Sequence, residues 1–230
     1  MEKISIIVPT YNEKENLPIL VDKLFTDLKG YDFELIIVDD NSPDGTGKLA
    51  DELTKRNKKI KVVHRPRKMG LGSAFIDGTK IASGDIFVLM DSDLSHDSKD
   101  LPKLLNKISQ GWDMIIGSKY VSGGRTQDRP LRIFASKIFC FLSSFILLVD
   151  IKDSASGLFA IKKNVLNKIK LRPIGFKVMI ETAFKAKKLG SKIIEVPITF
   201  HKRKYGKQKS GLKEAFTFLR LVFELRFGLR

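Results

Sequence analysis

The 230-residue sequence has one cysteine, one tryptophan and three histidines. A single cysteine, Cys140, excludes an internal disulfide and points to a reducing compartment. Nor does any uncharged apolar run reach the ~20 residues of a membrane-spanning helix. The longest extends from Ile138 to Val149, bounded by Lys137 and Asp150, which suits a core helix or one lying in a membrane interface. Met1-Glu2-Lys3 leads directly into a strand-like run, so no secretory leader is expected. Phosphate-binding signatures are missing too. No Gly-x-Gly-x-x-Gly follows the first strand, and there is no Walker-type lysine motif. Acidic residues are scarce in the last third. Residues 151–230 hold 20 bases against 5 acids, whereas residues 1–150 hold 22 against 21. The net charge of +16 is therefore concentrated where an anionic partner would bind.

What is present describes a folded chain, 43% hydrophobic and 30% charged. Apolar, β-branched runs predict strands at 4–8, 33–38, 60–63, 86–90 and 114–117, with helices over 15–28, 44–56, 70–82 and 99–109. Such alternation implies an α/β fold with a mostly parallel central sheet and right-handed crossovers. Farther on, the pattern predicts an apolar helix at 131–149, strands at 158–161 and 193–200, and a helix at 211–230. Pro197 marks an edge or a bulge. The basic run 201–209 reads as a mobile loop. The final helix would present Leu212, Ala215, Phe216, Leu219, Val222, Phe223 and Phe227 on one face.

Three strand ends carry polar groups that could bind a ligand: Pro9-Thr10-Tyr11-Asn12-Glu13, Asp39-Asp40-Asn41-Ser42 and Asp91-Ser92-Asp93. In a parallel sheet these ends lie side by side, where open α/β sheets bind ligands. Two carboxylates one residue apart are costly at the end of a buried strand. They become favourable with a divalent cation and a phosphate between them, and hard oxygen ligands suit Mg²⁺ or Mn²⁺. Taken singly, Asp39 and Asp40 are also good turn formers, and Asn41 or Ser42 a helix cap. His64, His96 and His201 lack metal-site spacing, and Trp112 reads as structural.

These segments resemble glycosyltransferase family 2, and within it the dolichyl-phosphate mannosyltransferases. The likeness rests on Val8–Glu13, Val38–Thr46 and Met90–His96. Gly117–Tyr120, Ser156–Ala160 and Phe200-x-x-Arg203-x-x-Gly206-x-Gln208-Lys209 extend it over essentially the whole chain. The resemblance implies the type-A nucleotide-sugar fold, with a catalytic domain over 1–210 and an amphipathic helix at 211–230. Nucleotide and metal would occupy about 1–120 and the acceptor about 121–210. It further implies that Pro9, Tyr11, Glu13, Val38 and Asp40 hold the nucleoside. Asp91, Asp93 and Ser95 would hold Mg²⁺ or Mn²⁺, with Ser92 nearby. Lys119, Arg132, Arg203 and Lys209 would contact phosphates, and Asp93, Arg203 and Lys209 would carry the catalysis.

The implied reaction is inverting transfer of mannose from GDP-mannose to dolichyl or polyprenyl phosphate, on the cytoplasmic face of a membrane. That membrane would be the endoplasmic reticulum in a eukaryote and the cell membrane in a prokaryote. Some relatives carry C-terminal transmembrane helices; this sequence lacks them, so a surface helix or a small anchoring subunit would bring it to the bilayer. Lys119 replaces a frequent arginine, Ser95 a glutamine of some members, and Gln208 a common serine. UDP-glucose as donor is an alternative. So, in other classes, are a basic nucleic-acid-binding protein and a non-catalytic membrane scaffold. The strand-end carboxylates disfavour both, since they would repel nucleic acid and serve no purpose in a scaffold.

Overall fold

The computed structural model describes residues 2–172, 178–205 and 212–228, with side chains from Thr217 onward in the last stretch. A seven-stranded sheet forms its centre, in the order β3-β2-β1-β4-β7-β5-β8. The strands are β1 (Ile4–Thr10), β2 (Phe33–Asp39), β3 (Ile60–His64), β4 (Ile86–Leu89), β5 (Met114–Ser118), β7 (Phe159–Lys162) and β8 (Ile193–Pro197). Two short strands, β6 (Arg125–Thr126) and β9 (Thr199–Phe200), form a separate parallel pair. β1, β2, β3 and β4 are mutually parallel, whereas β7 runs antiparallel to both β4 and β5. The sheet is thus mostly parallel, and the expected strand at 193–200 breaks into β8 and β9 around Ile198. Pro197 ends β8 on the sheet edge, where its missing N–H costs no ladder bond.

Every residue of β2 is buried, which explains its uninterrupted apolar reading. Alternation along β1 sends Ile7 into one core layer and Ile6 and Val8 into the other. Helices α1 (Leu17–Asp27), α2 (Thr46–Arg56) and α4 (Leu101–Ser109) cover the second layer. The first is covered by α3 (Leu71–Ile81), α5 (Pro130–Leu147), α6 (Lys163–Leu166), α7 (Val178–Lys188) and α8 (Leu212–Phe227). α3 crosses β1 closely: a Cβ on Gly78 would stand 2.5 Å from Ile7 Cγ2. α6 and α7 were not expected from the sequence.

The C-terminal helix differs from its expected amphipathic face. Phe218, Leu221, Val222 and Leu225 of α8 bury against the core, leaving Phe223 and Phe227 exposed. α5 is the more exposed element. Leu131, Phe134, Phe141 and Phe145 are each more than 60% accessible, while Cys140, Ser143 and Leu147 face inward.

Candidate active site

The carboxyl ends of β2, β1 and β4 open into a cleft of about 810 Å³. Pro9, Tyr11, Glu13, Asp40, Asp91, Ser92, Asp93, Ser95, Lys119, Arg132 and Arg203 all line it. Those eleven sequence-derived residues therefore converge. Val38 does not: its side chain belongs to the core layer beneath, because strand alternation turns it away from the cleft with Ile36. Lys209, with Gly206 and Gln208, lies outside the described residues.

Each strand ends in a sharp turn. Asn12, Asn41 and Leu94 have φ of 55°, 56° and 63°, a left-handed conformation uncommon outside glycine. Asparagine tolerates it, but Leu94 is the costlier case at ~1–2 kcal/mol, and its bend separates Asp93 from Ser95. Asp39 organises the β2 turn, accepting from the Thr10 hydroxyl and from the Ser42 amide and hydroxyl. The Ser92 hydroxyl donates to Pro9 O at 2.9 Å and ties β4 to β1.

Asp40 sits on a foundation that sequence reasoning missed. Arg65, whose side chain is 2% exposed, places Nη1 2.7 Å from Asp40 Oδ1 and Nε 3.3 Å from Asp77 Oδ2. The other oxygen, Asp40 Oδ2, accepts from the Met69 and Gly70 amides at 3.1 and 3.0 Å. In the sequence Arg65 is hidden in the charge run Arg65-Pro66-Arg67-Lys68, and only its burial distinguishes it. Lys68 lies 4.4 Å over the Tyr11 ring at the cleft wall.

Asp91 and Asp93 occupy different environments. Asp91 is about a quarter exposed and faces His96, whose Nε2 is 3.4 Å from Asp91 Oδ2. His96 is 3% exposed, its ring edge-on to Phe200, and neither ring nitrogen makes a well-formed hydrogen bond. Asp93 is encircled. Its Oδ1 accepts from the Ser95 amide and hydroxyl at 3.0 and 2.5 Å, and its Oδ2 from Arg203 Nε and Nη2 at 2.9 and 2.8 Å. Burial works to raise the Asp93 pKa, but the Ser95 hydroxyl and the Arg203 charge outweigh it and hold the group below the usual carboxylate value. Ser95 therefore orients Asp93, a use of its hydroxyl that differs from direct ligation.

Two hard carboxylates at a strand end suit a divalent cation. Among the described residues no cluster of three or more His, Cys, Asp or Glu side chains could hold a metal by itself. The remaining ligands would come from a bound phosphate or water, which is the usual Mg²⁺ arrangement.

The far wall is basic. Lys119 Nζ pairs with Asp153 at 3.1 and 3.2 Å. Burial alone would lower its pKa, but Asp153 more than offsets that and keeps the amine charged. Arg132, 2.9 Å from Asp128, is half exposed at the rim with Arg129.

The basic run after β9, expected to be mobile, is docked over its described part. His201 N–H donates to Ser95 O at 2.8 Å, and Phe200 forms an antiparallel bridge with His96. Asn16 Nδ2 reaches Tyr205 O at 3.4 Å.

A family model described as "Glycosyl transferase family 2" matches residues 5–170. The chain is 43% identical over 226 residues to a dolichol-phosphate mannosyltransferase of Pyrococcus furiosus, covering 97% of this chain and 63% of that protein. It is 38% identical over 225 residues to a polyprenol monophosphomannose synthase of Mycolicibacterium smegmatis, covering 93% and 84%. The chain thus spans just under two thirds of the first relative's length. One similar solved structure is the mannosyltransferase PcManGT from Pyrobaculum calidifontis in complex with GDP-Man and Mn²⁺. Its TM-score is 0.67 at 18% identity, with 96% of this chain and 64% of that chain covered. Another is glucosyl-3-phosphoglycerate synthase from Mycobacterium tuberculosis with phosphoglyceric acid. There the TM-score is 0.70 at 23% identity, with 99% and 79% covered. These structural likenesses establish the shared type-A fold, and the sequence matches go further: the chain belongs to glycosyl transferase family 2.

Proposed function

We propose that the protein transfers mannose from GDP-mannose to the phosphate of dolichyl or another polyprenyl phosphate, inverting the anomeric centre, with Mg²⁺ or Mn²⁺. The observation carrying this reading is the cleft itself. It brings Asp91 and Asp93, just past the end of β4, into one cleft with Lys119, Arg129, Arg132 and Arg203. The names of the two relatives supply donor sugar and acceptor class, and the PcManGT complex supplies GDP-Man and Mn²⁺.

The residues have distinct tasks. Tyr11, Glu13 and Asp40 line the nucleoside end, with Arg65 fixing Asp40 from below. Asp91 and Asp93 would hold the divalent ion, which supplies charge neutralisation for a departing diphosphate. Lys119, Arg132 and Arg203 face the phosphates and lower the repulsion between two anionic substrates. A phosphate monoester is already largely anionic at neutral pH, its second pKa being ~6. Deprotonation of the acceptor by a general base is therefore unnecessary, and one-step displacement by a phosphate oxygen inverts the sugar carbon.

α5 connects the site to a lipid. Arg129, Arg132 and Ser136 line the cleft at its N-terminal end. The row Leu131, Phe134, Phe141 and Phe145 is exposed along the same helix. A contiguous exposed apolar row is characteristic of an interaction surface, and in this reading it lies in the headgroup boundary at the cytoplasmic side of a membrane while the lipid phosphate enters between the bases. We assign 1–210 to catalysis, the acceptor to residues after about 120, and 211–230 to support of α5.

A panel of GDP-mannose, UDP-glucose and other nucleotide sugars, assayed against radiolabelled polyprenyl phosphate with and without chelator, tests the reaction. Metal-dependent conversion of the labelled lipid to a mannosylated product is expected with GDP-mannose alone. Transfer only from UDP-glucose would replace the donor, and no transfer from any sugar would overturn the enzyme reading.

A further inference from the structure

A carboxylate has about four lone-pair sites, and in Asp93 all four face protein donors: two from Ser95 and two from the Arg203 guanidinium. A cation can reach Asp93 only by displacing one of them. The Ser95 amide and hydroxyl belong to the same turn and are buried with it. Arg203 is the exchangeable partner, since its side chain is 22% exposed and enters from a segment 110 residues away.

That segment is held by a small clamp. Glu13 Oε2 accepts from Asn16 Nδ2 at 2.7 Å, and the same amide reaches Tyr205 O. Glu13 Oε1 lies 3.6 Å from Arg203 Nη1. The guanidinium thus bridges Asp93 and Glu13 and supplies positive charge to both carboxylates. A diphosphate offers it an alternative anion with matching fork geometry.

We propose that Arg203 is a resident counter-cation that gates Asp93, so that the metal ion and a nucleoside diphosphate bind cooperatively, the diphosphate drawing Arg203 off the carboxylate the ion needs. This deepens the proposed function and rests on its assignment of Asp93 to the ion. Because coupling between two ligands is reciprocal, Mn²⁺ must strengthen diphosphate binding by the same factor.

Free Mn²⁺ measured by electron paramagnetic resonance, with and without GDP, tests the gate without any sugar transfer. In the parent, GDP should strengthen Mn²⁺ binding by about tenfold or more, within the ordinary range of site-to-site coupling. Arg203→Ala should bind Mn²⁺ alone about tenfold more tightly than the parent, with the benefit from GDP reduced in proportion. Arg203→Lys, which retains the charge, should stay near the parent and controls for altered folding. Equal or weaker Mn²⁺ binding by Arg203→Ala, with folding intact by thermal melting, overturns the gate. Mannose transfer by the parent enzyme in that case leaves the proposed reaction standing, whereas a working gate in a parent that transfers no mannose leaves the gate and removes the reaction.

Discussion

Gly157 lies against Asp91 so closely that a methyl group on its α-carbon would overlap Asp91 Oδ2 and stand 2.7 Å from Cγ. The turn holding it there is itself fixed, since the Ser156 hydroxyl donates to Gly117 O at 2.6 Å and accepts from the Leu158 amide. Asp91 thus keeps its position because the opposite wall has no side chain. Gly157→Ala should push the carboxylate aside with the fold unchanged. We expect metal affinity and kcat/KM to fall about 10²-fold, as misplacement by ~1 Å does in catalytic sites. Parental Mn²⁺ affinity in this variant would show that Asp91 tolerates displacement.

Asp93→Ala removes the group on which Ser95 and Arg203 converge. Loss of transfer by several orders of magnitude is expected, with a far-ultraviolet circular dichroism spectrum like the parent's, because Arg203 is partly exposed and can turn to solvent. Substantial metal-dependent transfer by the folded variant would remove Asp93 from the chemistry.

Arg65→Met tests the foundation beneath Asp40. It leaves a carboxylate that is 5% exposed with backbone donors but no cation. Breaking one side of such a pair costs ~3–5 kcal/mol, read as a lower melting temperature. Donor KM should rise more than kcat falls if Asp40 holds the nucleoside as proposed. Arg65→Lys should rescue little, because a point charge cannot serve Asp40, Asp77 and Ser73 together. A parental donor KM in Arg65→Met would make Arg65 purely structural.

The parts legible from sequence were those with a local signature. β4 is wholly apolar until Asp91 and Asp93 interrupt it, so the site announced itself. The mostly parallel sheet followed from alternation with helices, whereas the antiparallel insertion of β7 between β4 and β5 did not. What escaped was non-local or hidden by alternation. Nothing near Arg203 says that it spans to Asp93. Arg65 is indistinguishable from Arg67 by sequence, although one is buried and the other exposed. Val38 ends an apolar run beside Asp40, yet the two-residue period turns it into the core. α7 buries Val178 to Phe184 without interruption and confines its exposed residues, Lys187 and Lys188, to the last turn, so its first two turns give no alternation for periodicity to detect.

At the opposite end of the sheet, Glu34 accepts from Ser5 and from the Ser83 amide and hydroxyl, and pairs with Lys61 at 2.7 Å. Burial acts to raise its pKa, but these partners overcome it and bring the value down to about 2 from 4.5. A carboxyl with a depressed folded-state pKa stabilises fully above its unfolded value, and that contribution fades as pH falls from 4.5 toward 2. Glu34→Gln should cost ~1.5–3 kcal/mol near neutrality and flatten the acid limb of the stability curve across that window. Parallel acid limbs in urea titrations of parent and variant would show that other carboxylates govern acid unfolding.

In the proposed reading, α5 is the element that docks on the membrane. Phe134, Phe141 and Phe145 are 64–68% exposed, so an aspartate at Phe134 and Phe141 disturbs no core packing. Burying a phenylalanine in the headgroup boundary contributes ~1.5–3 kcal/mol, and each nearby base adds ~1 kcal/mol on an anionic surface. The double variant should therefore lose at least about tenfold in flotation with anionic liposomes. Transfer to a short water-soluble polyprenyl phosphate should be retained, because the cleft residues are untouched. Phe223→Asp on α8 should weaken flotation less, since Phe218, Leu221, Val222 and Leu225 of that helix are buried in the core. Equal flotation by the double variant and the parent, or no flotation by the parent at low salt, would rule out this face as the membrane contact.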